Sequence, residues 1–136
     1  MPRAYDKARD IAYQIQIALN GHSTANIDGL LYDDSHAVPE PQEFVAHWVV
    51  DFEVIYNGDP ANAESDITAK LAATSGVTDL VPERSIYINA VDGTKPEFPY
   101  VVWDKVSNLN VEHTMTLPNT HAVRAQFRFD CFAETR

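Results

Sequence analysis

Apolar and polar residues alternate without a break from His121 to Phe132. His121, Val123, Ala125, Phe127, Phe129 and Cys131 fall on one side, and Ala122, Arg124, Gln126, Arg128 and Asp130 on the other. A period of two is the signature of a half-buried strand. Straight, such a run spans about 40 Å, longer than a typical strand, so its far end is expected to reach a neighbouring subunit. Phe44 to Tyr56 predicts a second strong strand, with Phe44, Ala46, Trp48, Val50, Phe52, Val54 and Tyr56 on one face and the other face turning acidic at Asp51 and Glu53. Ala4 to Asn20 reads differently. Ala8, Ile11, Ala12, Ile15, Ala18 and Leu19 recur at three- and four-residue steps, the stripe of an amphipathic helix, and Gly21 follows where a left-handed turn ends one.

Weaker patterns fill the rest. Ile27 to Asp34 predicts a strand that starts near Asp28-Gly29, and Pro39 and Pro41 mark a loop over Ser35 to Glu43. Asn57 to Glu64 (NGDPANAE) is small and polar and reads as a turn or linker. Ser65 is the expected N-cap of a short helix from Asp66 to about Thr74, closed by Gly76, with one further turn in Val77 to Val81. Ser85 to Ile88 is a short strand and Tyr100 to Val106 a longer one. A polar stretch, Ser107 to Thr120, leads to the last strand. These elements predict a single α+β domain over 1–136, with a mainly antiparallel four-stranded sheet and two helices packed on one of its faces.

Composition narrows the class. A 136-residue chain with 45% hydrophobic and 22% charged residues buries enough surface to fold without metal or disulfide. One cysteine excludes an internal disulfide framework, and no apolar run is as long as a membrane span, so a cytosolic product with no membrane partner is expected. The net charge of −10 argues against a broad phosphate-gripping surface. It suits a well-solvated exterior or an acidic wall along which DNA slides without specific binding.

The search for chemistry finds little. Five scattered glycines form no phosphate loop, and the five histidines lack metal-binding helical spacing. His113 and His121, beside Glu112, are read as exposed loop histidines in preference to metal ligands. Cys131 lies on an apolar strand face, the wrong setting for a thiolate. Asp33-Asp34 is read as a strand end and Asp51/Glu53 as a solvated patch. No catalytic, cofactor-binding or metal-ligating residue is therefore assigned, and no enzyme is expected.

The segment from Asp66 to Arg136 resembles the first half of the tail-completion, or tail-terminator-like, proteins of long-tailed bacteriophages. The similarity lies in a short helix resembling ITAKLAATSGVTDLV and an R-I-Y element at Arg84-Ser85-Ile86-Tyr87 with one residue inserted. A P-Y-V-V strand at Pro99 to Val102 follows, and then a strand ending D-C-W-A at Asp130-Cys131-Phe132-Ala133. In that family the last strand runs on into a helix resembling YDKARDIAYQIQIALNG, followed by two strands, the second resembling VDFEVIY. Those elements stand here at the front, Tyr5 to Tyr56. The chain thus reads as a circular permutation. Residues 1–56 match the family's second half, 66–136 its first half, and 57–65 join the old ends. A rearrangement made by design is the first explanation, a naturally permuted relative the second, and an unrelated α+β protein the third. The strand pattern stops just before Arg136 and the helix opens at Ala4, so these two are expected within about 15 Å of each other, a gap a few extended residues could bridge.

The resemblance implies a structural virion protein with no cofactor. Made in the host cytoplasm, it would sit at the head–tail interface as a hexameric ring of identical subunits. That ring would cap the tail tube and meet the head-side connector while DNA passes through. Such a ring closes by two different patches per subunit. Two long connections are the candidate subunit and partner surfaces, represented by Asn108, Val111, His113, Met115, Leu117 and His121 in one, and His36, Val38 and Phe44 in the other. The alternative from another class is a monomeric adaptor that binds through an exposed sheet edge. A third reading, a hydrolase, requires a deep polar pocket.

Overall fold

The computed structural model describes residues 4–41, 44–57, 59–91, 96–109 and 122–134. The first helix, α1 (Ala4–Leu19), is followed by the strands β1 (Ile27–Val38) and β2 (Val45–Asn57). Two helices come next, α2 (Pro60–Ala72) and the single-turn α3 (Ser75–Thr78), and a 3-10 turn at Glu83–Ser85. The strands β3 (Ile86–Ile88), β4 (Tyr100–Leu109) and β5 (Ala122–Glu134) complete the described chain. The strands form one sheet in the order β1-β2-β5-β4-β3. All neighbours pair antiparallel except β3 and β4, which are parallel.

The expected four-stranded sheet with two helices is therefore corrected to a five-stranded mixed sheet with three helices. All five strand runs join the sheet, and β3, inside the short strand expected over Ser85 to Ile88, pairs its three residues with Val101, Val102 and Trp103. Its place at the edge depends on β4, far enough along the chain that local periodicity carries no sign of the parallel pairing. The added helix is α3, held by backbone bonds from the Val77 and Thr78 amides to the Thr74 carbonyl. Gly76 lies inside this turn, against the side chain of Gln14, and does not close α2.

The second helix starts six residues earlier than Asp66. Asp59 is its N-cap, accepting a hydrogen bond from the Ala61 amide at 2.9 Å, and Pro60 occupies the first turn, where its missing N–H costs nothing. The polar run that reads as a linker is thus the alanine-rich first half of a helix. Ala63, Ile67 and Leu71, one turn apart, bury its inner face. At the end of α1 the expected left-handed turn is present. Gly21 has φ +81° and its amide donates to the Leu30 carbonyl at 2.7 Å.

The core lies between the helices and one face of the sheet. Ile11, Ile15 and Leu19 of α1, with Ile67 and Leu71 of α2, cover Val50, Phe52 and Val54 of β2, Ala125, Phe127 and Phe129 of β5, and Trp103 of β4. Trp103 stacks on Phe129 with ring centroids 5.1 Å apart, and Phe52 meets Phe129 edge-on at 5.7 Å. Of the inward sets expected on β2 and β5, Ala46, Val50, Phe52, Val54, Tyr56, Ala125, Phe127, Phe129 and Cys131 are buried, whereas Trp48 is only partly covered and Phe44 precedes β2. Val45, Val49 and Asp51 of the other face are buried as well. Cys131 joins this core at 0% exposure, and burial pushes its thiol far above the ordinary range.

The start of α1 and the end of β5 lie together. Ala8, Ala46 and Ala133 form a small buried cluster of their own, at 0–1% exposure. Arg136 lies outside the described residues. Elsewhere the turn between α1 and β1 is tied to α2 by Asp66, whose carboxylate accepts hydrogen bonds from the Thr24 hydroxyl and, at 3.0 Å, from the Asn26 side-chain amide. Those bonds hold the Asp66 carboxyl below its ordinary value.

Candidate functional site

The sheet face turned away from the helices carries most of the polar chemistry. Register places it in rows. Val38, His47, Phe132 and Tyr100 stand side by side in one row. His36, Val49, Asp130, Val102 and Tyr87 form the next, and Asp34, Asp51, Arg128 and Asp104 the third. On β1 this alignment depends on an irregularity. The register shifts between Tyr32 and Asp34, so Asp33 is an extra residue in the strand. Before the shift Leu30 points into the core; after it Ser35 points that way and accepts a hydrogen bond from Trp48 Nε1 at 2.6 Å. Asp34 and His36 are thereby turned to the open face.

The first row is aromatic. His47 stacks on Phe132 at 4.2 Å and Phe132 on Tyr100 at 4.7 Å, with Tyr87 edge-on to Tyr100. His47 is pinned between carboxylates: Nε2 is 2.6 Å from Asp130 Oδ1, and Nδ1 is 3.9 Å from Glu40 Oε1. Both ring nitrogens therefore face acids, not a hydroxyl or thiol that they could activate. Burial, with Glu40 and Asp130 adding repulsion, raises the Tyr100 hydroxyl above its usual range.

The third row is ionic. Arg128 meets Asp51 in a two-point contact, Nε to Oδ1 at 2.9 Å and Nη2 to Oδ2 at 3.4 Å. Asp51 is only 4% exposed, so the reading of Asp51/Glu53 as a solvated patch is corrected. The Asp51 bond, reinforced by the charges of Asp51, Asp130 and Asp104, holds the Arg128 guanidinium still more firmly protonated. Glu53 pairs with Arg124 one step further along. The signal for both pairs was in the sequence: two arginines four apart on the polar face of β5, and two acids two apart on the polar face of β2. What the sequence alone lacks is the register that sets Arg128 opposite Asp51.

The residues proposed from the sequence fare unevenly. His36 and Val38 are not in a loop; β1 continues through them and pairs them with Val49 and His47. The prolines end the strand at Val38, not earlier. Phe44 stands immediately before β2 and is 36% exposed. Asn108 is a strand residue of β4, paired with Ala125, so the connection after β4 starts later than expected. Val111, His113, Met115, Leu117 and His121 lie outside the described residues.

Two further features bear on function. A wide-mouthed groove of about 460 Å³ runs between α2 and the β3 edge, lined by Glu64, Ser65, Thr68, Ala69, Glu83 and Ile88. Exposed large apolar side chains include Tyr5, Phe44 and Val106 and two pairs close in sequence. On the outer side of α1, Tyr13 and Ile17, one turn apart, are each 54% exposed. On the edge strand β1, Leu31 and Tyr32 are 49% and 37% exposed. Among the described residues no helix is long and apolar enough to cross a membrane. Comparisons with protein-family models, with curated proteins and with solved structures find no match to this chain.

Proposed function

We propose that this protein is a structural subunit that assembles as a ring, with the scaffold of the phage tail-completion proteins in permuted order, and that it carries out no bond chemistry. The observation that carries this reading is the packing of Ala8 of α1 against Ala133 of β5. In the resembling family the strand ending D-C-W-A leads into that helix, and here its counterpart, Asp130 to Ala133, ends beside it. The reading is further supported by the two apolar patches. A ring closes through two different surfaces on each subunit, and the back of α1 and the edge of β1 are two such surfaces. The ring would cap a tail tube and join it to the head-side connector, with its acidic charge leaving DNA free to pass.

Light scattering on the size-separated protein tests this. The expected mass is six times the 15.2 kDa of one chain. Tyr13→Lys and Leu31→Lys, one on each patch, should each return the assembly to single subunits without unfolding it. A strict monomer at high concentration overturns the ring and leaves the edge of β1 as a docking strand for another protein.

A further inference from the structure

We infer that Asp34, His36 and Asp51 form a binding site for one first-row divalent cation of the Zn²⁺ type, bridging the edge strand β1 to β2 on the open face of the sheet. The inference stands apart from the ring reading and does not rest on it. One ligand atom from each residue lies within 4.8 Å of the others. His36 Nδ1 is 2.9 Å from Asp34 Oδ2, and the two side chains come from one strand two residues apart. Asp51 comes from the neighbouring strand, directly opposite Asp34.

Three arguments favour a cation here over a chance grouping. First, two carboxylates face each other across a strand pair, an arrangement that costs stability unless a positive charge lies between or beside them. Arg128 supplies one such charge to Asp51, but the row also holds Asp34 and Asp104, so it keeps a surplus of negative charge. Second, the register shift at Asp33 is what sets Asp34 and His36 on the side of Asp51; a regular ladder continued from Tyr32 would put Asp33 opposite Asp51 and carry Asp34 and His36 to the covered face. Third, the anchor is buried while the arms are free. Asp51 is 4% exposed and fixed by Arg128, whereas Asp34 and His36 are exposed and able to swing.

The donor set decides the metal. One imidazole nitrogen and two carboxylates suit Zn²⁺, Co²⁺ or Mn²⁺ better than Ca²⁺ or Mg²⁺, which take oxygen ligands. Bonds of about 2.0–2.2 Å hold ligand atoms up to about 4 Å apart. Closing the site therefore takes about an ångström of movement at the two exposed side chains, with water filling the remaining positions.

Titrating Zn²⁺ into the chelator-stripped full chain, followed by calorimetry, tests the site. One ion per chain is expected. Asp34→Asn and His36→Gln, both at exposed positions where the fold has no need of them, should each weaken binding about tenfold or more. Asp33→Asn makes the same change of charge one residue away, at a side chain outside the ligand group, and should leave the affinity within about twofold. Co²⁺ should give visible absorption bands that vanish in His36→Gln. Equal weakening by Asp33→Asn and Asp34→Asn, undiminished Zn²⁺ binding in His36→Gln, or equal affinity for Ca²⁺ would each show general attraction to an acidic surface and overturn the site.

Discussion

The two faces of one sheet follow different rules. On the face under the helices, Val50, Phe52, Phe127, Phe129 and Trp103 are at most 1% exposed and touch other apolar side chains. On the opposite face the same strands, in the same register, offer His47, Asp51, Asp130, Arg128 and Phe132, each engaged through a directed contact with particular neighbours. The first face gains stability from area removed from water, which asks only for apolar side chains of suitable size. The second gains little from each pair but fixes which strand sits beside which. A sheet with one generic and one specific side is well suited to a subunit whose covered half holds the fold and whose open half meets ions or other molecules.

Substitutions should expose that contrast. Phe129→Ala, at the centre of the covered face, should cost about 3–5 kcal/mol in urea unfolding, because it removes the ring between Trp103 and Phe52 and leaves a cavity. Arg128→Ala on the open face should cost less, about 1–3 kcal/mol, through the Asp51 carboxylate it leaves buried without its partner. Replacing both, Arg128→Leu with Asp51→Val, should recover most of that loss, because no buried charge remains unpaired. Arg124→Gln, which breaks the exposed pair with Glu53, should change stability by about 0–1 kcal/mol, and the effect should fade in about 1 M salt.

The smallest expected effect depends on pH and belongs to neither face. The folded-state value of Asp66 is lowered from the ordinary 3.8 chiefly by the Thr24 and Asn26 hydrogen bonds. Its contribution is therefore fully present above the ordinary value and is lost as pH falls through the lowered one. The stability difference between the unsubstituted chain and Asp66→Asn should be greatest near neutrality and disappear in acid, as followed by urea midpoints across pH.

How much of this the sequence discloses depends on how local the cause is. The stripe of α1, the alternation of β5 and of β2, and the turn at Gly21 are set by neighbours along the chain, and each is legible there. The start of α2 is equally local, yet it was hidden. Asp59-Pro60 resembles a turn until its cap geometry is seen, and the following Ala61-Asn62-Ala63 lacks an apolar stripe. The parallel pairing of β3 with β4, the extension of β1 through His36 to Val38, and the pairing of Arg128 with Asp51 all depend on register between distant segments. The grouping of Asp34, His36 and Asp51 is the sharpest case. Reading Asp33-Asp34 as a strand end was reasonable from composition, but one extra residue inside β1 turns Asp34 to the open face and brings it to Asp51.

The end of β5 and the start of α1 pack side by side, as they would in a scaffold where one runs on into the other. The most direct test of that scaffold is a chain in which β5 runs straight on into α1 and the opening lies between β2 and α2. Denaturant unfolding and light scattering on that chain should match the present one, with stability within about 1 kcal/mol, since moving a connection changes little beyond loop closure, and with the same assembled mass. A reordered chain that fails to fold, or that folds but assembles differently, would contradict it.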